Sequence, residues 1–138
     1  MSLHSEIIQG LEALPGWSGQ VKVVVARPPQ GTISAYAIVM PQPTPQPEST
    51  QGQHPTYTFS KFSIGVTTHS QLTAMALAEE AWGWIRDFTG KITVSSSRFV
   101  EAADAPESPT ALFSETPDGS EALLHSASFD VQLIHRAA

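Results

Sequence analysis

There is no cysteine in the 138 residues of this chain, so it can form neither a disulfide nor a thiolate metal site, and a packed core has to hold it together. Basic residues are also scarce. Seven Lys and Arg stand against thirteen Asp and Glu, a net charge of −6, which argues against a surface that wraps nucleic acid by neutralising phosphates. No apolar run approaches the roughly 20 residues of a membrane-spanning helix, and the start, MSLHSEIIQG, lacks the basic opening and apolar run of a signal peptide. The expectation is a soluble, cytosolic protein with no membrane partner. Several chemical signatures are missing as well: no glycine-rich phosphate loop follows a strand, and there is no HExxH and no GxSxG. No internal repeat is visible. The length suits one domain, residues 1 to 138, able to bury about two-thirds of its unfolded surface.

The most regular stretch is Thr56 to Gly90. Phe62, Ile64 and Val66 fall on every second position, the period of a half-buried strand. Tyr57 and Phe59 keep that alternation in the opposite phase, which predicts a bulge or twist near Ser60 and Lys61. After His69 the period becomes helical, with Ser70 placed as N-cap. At 100° per residue, Ala74, Met75, Ala78, Ala81, Trp82, Ile85 and Phe88 gather on one side, and Glu79, Glu80, Gly83, Arg86 and Asp87 on the other. The small alanines let the helix lie close to a sheet. The pattern predicts a helix running to about Thr89, closed by Gly90 as the left-handed residue beyond its end.

Ahead of this stretch, Leu3, Ile7, Leu11 and Leu14 recur at helical spacing and predict a short helix over residues 2 to 14, stopped by Pro15 and Gly16. So short a helix must dock on something to persist. Gln20 to Ala26 reads as a β-branched strand, Arg27 to Gly31 as a turn, and Thr32 to Met40 as a second strand, which together predict an antiparallel hairpin. Behind the long helix, Lys91 to Val94 and Arg98 to Ala103 read as short strands interrupted at Ser95 to Ser97. Asp104 to Thr110 and Thr116 to Ser120 read as a loop and a turn. The longest alternation closes the chain, with Leu123, His125, Ala127, Phe129, Val131, Leu133 and His135 on one face. The expected fold class is α+β: two helices packed on a largely antiparallel sheet, a mixed sheet being left open.

Pro41 to Pro55 breaks this pattern, with five prolines, four glutamines and no large apolar side chain. It cannot build core, and a loop of this length is expected to be mobile and to order against a partner. Its PxxP spacing also allows a polyproline ligand for an aromatic groove, a weaker reading. Contact with a partner is therefore assigned to Pro41, Pro43, Pro45, Pro47, Gln51 and His54, and to Trp84, which sits at the margin of the long helix's apolar face. Trp82 is assigned to the core.

No catalytic, cofactor-binding or metal-binding set emerges. His125 and His135 share a face but lie ten residues apart, about 33 Å in an extended strand, too far to hold one ion in one subunit. His69 beside Ser70 suggests a base and its nucleophile, yet neighbours at a helix entrance point apart and Ser70 already has a capping task. Glu79 and Glu80 read as a solvated helix face.

Three segments carry a resemblance to a known family. They are the short first helix ending in LPGW, the run PTYTFSKFSIGVTTHS leading into ALAEEAWGWIRDF, and the closing SPTALFSETPDGSEALLHSASFDVQLIHR. With these the chain resembles the small tail terminator or tail-completion proteins of long-tailed phages, also labelled minor capsid or tail-to-head joining proteins. The resemblance implies a non-enzymatic virion protein without cofactors, assembled in the host cytoplasm. It would form a ring, a hexamer, on the head-proximal end of the tail tube, stop tube growth and present a surface to the head connector, with genomic DNA passing through the lumen unbound. Two alternatives stand beside it: a head–tail connector or stopper of the neck, and a small ferredoxin-like ligand-binding domain or enzyme.

Overall fold

In the computed structural model, residues 3–19, 21–25, 35–42, 58–94, 96, 98–115 and 124–137 are described. They form helix α1 (Leu3–Glu12), strands β1 (Lys22–Val25), β2 (Ala35–Gln42) and β3 (Thr58–Thr68), helix α2 (Gln71–Ile85), and strands β4 (Arg98–Asp104), β5 (Thr110–Glu115) and β6 (Leu124–Ala137). The fold is α+β. One sheet runs in the order β1-β2-β3-β6-β4, and β5 also pairs with β6.

β6 organises this sheet because its alternation is long and unbroken. Along one edge it pairs antiparallel with β3 over the whole span from Thr58↔His135 to Thr68↔His125. The other edge is shared, with β4 on its C-terminal part and β5 on its N-terminal part. Ala127, Phe129, Val131, Leu133 and His135 all face inward, as the two-residue period requires. Opposite them Phe62, Ile64 and Val66 of β3 and Ala37 and Val39 of β2 are likewise buried.

Both helices lie on this inner face. α1 sinks Leu3, Ile7 and Leu11 into the core and sets His4 edge-on to Phe62. α2 lays Ala74, Ala78, Ala81 and Ile85 over β3 and β6, the small side chains allowing close approach. Trp17, between α1 and β1, is fully buried and donates its indole N–H to the Leu77 carbonyl at 3.1 Å. Each large apolar side chain so placed stabilises the fold by roughly 1.5–3 kcal/mol.

Several expectations are corrected. β1 and β2 run parallel, with Lys22 opposite Tyr36 and Val25 opposite Val39. Nine residues separate these strands, more than the two to five of a tight hairpin and enough chain to return to the starting end. The expected turn at Arg27 to Gly31 lies outside the described residues. β3 carries no bulge, since its register with β6 is unbroken. Phe59 instead projects from the outer face, opposite Ile134, and the irregularities fall between Val100 and Ala102 of β4 and between Leu112 and Glu115 of β5.

α2 ends at Ile85, four residues early. Gly90 does have positive φ, +106°, but it serves the sheet: it exchanges both backbone hydrogen bonds with Val100, at 2.9 and 2.8 Å. That pairing draws the chain off the helix. Lys91 to Val94 is not a strand, and Val94 is wholly exposed. Conversely residues 111–115, left unassigned by the sequence, form strand β5 together with Thr110, which was expected in the preceding loop. Pro41 and Gln42 belong to β2 rather than to the proline-rich loop, with Pro41 opposite Phe62.

Candidate functional site

The residues singled out by sequence do not converge. Ser70 is the N-cap of α2, its hydroxyl accepting from the Thr73 N–H at 3.4 Å. The preceding Thr68 hydroxyl tightens the corner, accepting from the Ser70 N–H and donating to the Ser70 carbonyl. His69 is exposed, and among the described residues no hydrogen bond joins it to Ser70. His125 and His135 occupy the two ends of the β3–β6 pairing. Glu79 is exposed as expected, but Glu80 is not a solvated charge. Its carboxylate accepts from the Gly16 N–H at 3.1 Å, tying the turn after α1 to α2.

Of the assigned contact residues, Pro43, Pro45, Pro47, Gln51 and His54 lie outside the described residues, and Pro41 is exposed on β2. Trp84 is half-buried within the subunit, its ring 5.6 Å from Phe88. It also lies against Gly10 of α1, where any Cβ would come to 2.5 Å from the indole edge. Trp82 sits at the core margin, donating to the Ala105 carbonyl at 2.9 Å beneath the Arg86 guanidinium, 4.6 Å from its ring.

One cluster escaped the sequence reading. Glu6, on the inner side of α1, is fully buried. Its carboxylate accepts from the Ser96 hydroxyl at 2.6 Å and from the Arg98 guanidinium at 3.1 Å. The Ser96 hydroxyl also contacts the Arg98 backbone, at 3.2 Å to its carbonyl and 3.1 Å from its N–H. A buried charge needs such partners. Beside it His135 of β6, 7% exposed, shares a 2.8 Å hydrogen bond with the Ser60 hydroxyl of β3. Burial, then the nearby Arg98 charge, push the His135 pKa below its ordinary 6.5, while Glu6 opposes them. His4 is also lowered, by burial. A helical wheel was the available signal: Glu6 stands only about 60° from Leu3, inside the apolar arc of α1.

The outer face of the sheet is built differently. Rows run across it as Tyr36–Thr67–Ser126, Ile38–Gly65–Ser128 and Met40–Ser63–Asp130. Thr67 and Ser126 join their hydroxyls at 2.9 Å, and Gln42 donates to Asp130 at 3.1 Å. Among the described residues no helix packs on this face. It ends in a shallow 230 Å³ hollow lined by Lys61, Asp104, Glu107, Asp130 and Gln132. A wider hollow of 450 Å³ opens by the α2 entrance, between Val21, Ala35, His69 and Leu77. Among the described residues no three His, Cys, Asp or Glu side chains gather to hold a metal ion.

The sheet has unlike ends, four-residue β1 at one and β4 with β5 at the other. Compared with known proteins, the chain matches no family model and no curated sequence.

Proposed function

We propose that the chain is a structural subunit of a phage tail terminator, a ring that caps the head-proximal end of the tail tube, stops its growth and meets the head connector. Two things support this reading: the resemblance carried by the three segments above, and a sheet with two unlike ends and one face free of helices among the described residues. The second is the structural observation that carries it. A ring subunit meets its neighbours head-to-tail through two different surfaces, and such contacts close when the rotation per subunit divides a full turn. A sixfold tube would select six copies. The partners are then other copies of this chain, the tail tube protein and the head connector, with DNA passing through the lumen without specific binding.

Electron microscopy of purified tails, with native mass spectrometry of the free protein and of the protein mixed with tail tubes, tests this. The expected result is a ring of density at the tube end and a hexamer that appears with tubes. A single asymmetric copy, or protein found only in the capsid shell, overturns it. Tails made by a head-defective phage separate the neighbouring role, because a terminator copurifies with them and a connector stays with heads.

A further inference from the structure

The geometry points to the outward face of α2 as the surface on which a second copy of this chain docks, the two helices lying antiparallel across a twofold axis. The pair uses neither end of the sheet nor its helix-free face, so it stands whether or not the chain forms a ring.

α2 buries Ala74, Ala78, Ala81 and Ile85 against the sheet. On the opposite side Leu72, Ala76, Glu79, Gly83 and Arg86 are all exposed, Arg86 continuing the helical path as C-cap. Their spacings are four, three, four and three, the repeat of a coiled-coil seam. At 100° and 1.5 Å per residue they form a stripe within about 80° of arc and about 21 Å long. Leu72, at its start, is 84% exposed. Ala76 and Gly83 keep the stripe low enough for another helix to approach to about 8 Å between axes. Among the described residues nothing in the subunit requires a glycine at position 83, because a Cβ there would meet no atom within 4 Å. A glycine inside a helix weakens it, and a close neighbour outside the subunit gives a reason for this one.

Charge identifies that neighbour. Glu79 and Arg86 are the only ionised side chains in the stripe. Parallel helices in register would set Glu79 on Glu79 and Arg86 on Arg86. Turned antiparallel about Ala81, each helix instead brings Glu79 over Gly83 of the other copy and Ala76 over Arg86. Arg86 then stands about 4.5 Å along the axis from the other copy's Glu79, and two equivalent Glu79–Arg86 pairs close across the twofold, each beside a small residue that leaves room for it. Arg86 keeps its place over Trp82, 4.6 Å from the ring, since stacking uses the guanidinium face and pairing its N–H edge. Its exposed 3.5 Å contact with Asp87 competes little. Each Leu72 lies at the C-terminal end of the other helix. A stripe with one acid and one base is complementary to itself only in this orientation, as a twofold contact requires. A single helix face makes a small interface of the transient class.

Sedimentation equilibrium of the full chain, without tail tubes, reads the pair. The expected result is a monomer–dimer equilibrium with Kd of about 0.1 mM. Glu79→Arg and Arg86→Glu should each weaken it about tenfold or more, by leaving like charges along the seam. An equimolar mixture of the two variants should pair at least as tightly as wild type, because one copy then carries both bases and the other both acids. Circular dichroism checks that each variant is folded. Should Arg86→Glu fail to fold, Ala76→Arg, which sets a bulky base against Arg86 of the other copy, serves as the second disrupting variant, with the same loss of pairing expected. Wild type that stays monomeric at about 1 mM, folded single variants that pair as tightly as wild type, or a mixture that pairs no better than its components would each overturn the contact.

Discussion

Replacing Glu6 by alanine removes the only fully buried carboxylate among the described residues and leaves the Arg98 guanidinium, 27% exposed, without that partner at the edge of the core. Breaking a buried ion pair from one side costs about 3–5 kcal/mol, since the surviving charge has lost its compensation. Two features place this case near the lower bound. Part of the Arg98 side chain can turn to water, and the Ser96 hydroxyl keeps its contacts with the Arg98 backbone. A loss of about 3 kcal/mol is expected, which at a typical urea dependence of about 2 kcal/mol per molar moves the unfolding midpoint down by about 1.5 M. The assay is urea unfolding followed by fluorescence, with Glu6→Ala, Arg98→Met and the double variant completing a cycle. The double variant should recover much of the loss, because both members of the pair are removed together. A Glu6→Ala midpoint within about 0.25 M of wild type, or strictly additive effects in the cycle, would refute the claim that this pair stabilises the fold.

The two helical glycines should respond oppositely. Gly10→Ala drives a methyl into the Trp84 ring and is expected to lose about 1–2 kcal/mol, overpacking outweighing the gain in helix propensity. Gly83→Ala meets open space and should gain about 0.5–1 kcal/mol, both being read from thermal or urea unfolding. Ser70→Ala should cost about 0.5–1 kcal/mol, at the low end for an N-cap because its 3.4 Å bond is long. His69→Ala, at an exposed side chain, should leave stability unchanged and, on the proposed function, ring assembly on tail tubes as well; lost assembly from a normally folded variant would contradict a purely structural role.

Periodicity along single segments was legible in the sequence by itself. The inward residues of β6, the core triplet of β3, the alanine face of α2 and its Ser70 cap all follow from side-chain period and backbone valence, which are local. So does the α+β class, because amphipathic helices and alternating strands must cover one another. What required tertiary structure is everything that depends on a partner distant in sequence. Whether β1 runs parallel or antiparallel to β2 depends on where the intervening chain returns, and valines satisfy either ladder. The early end of α2 is decided by Val100, which takes Gly90 into the sheet. Glu6 carries the clearest lesson. Its sequence neighbours identify an acidic residue on a short helix, whereas its burial is made possible by Ser96 and Arg98 some ninety positions away. Only the fold brings those donors to it, and without them the same carboxylate would have stayed in water.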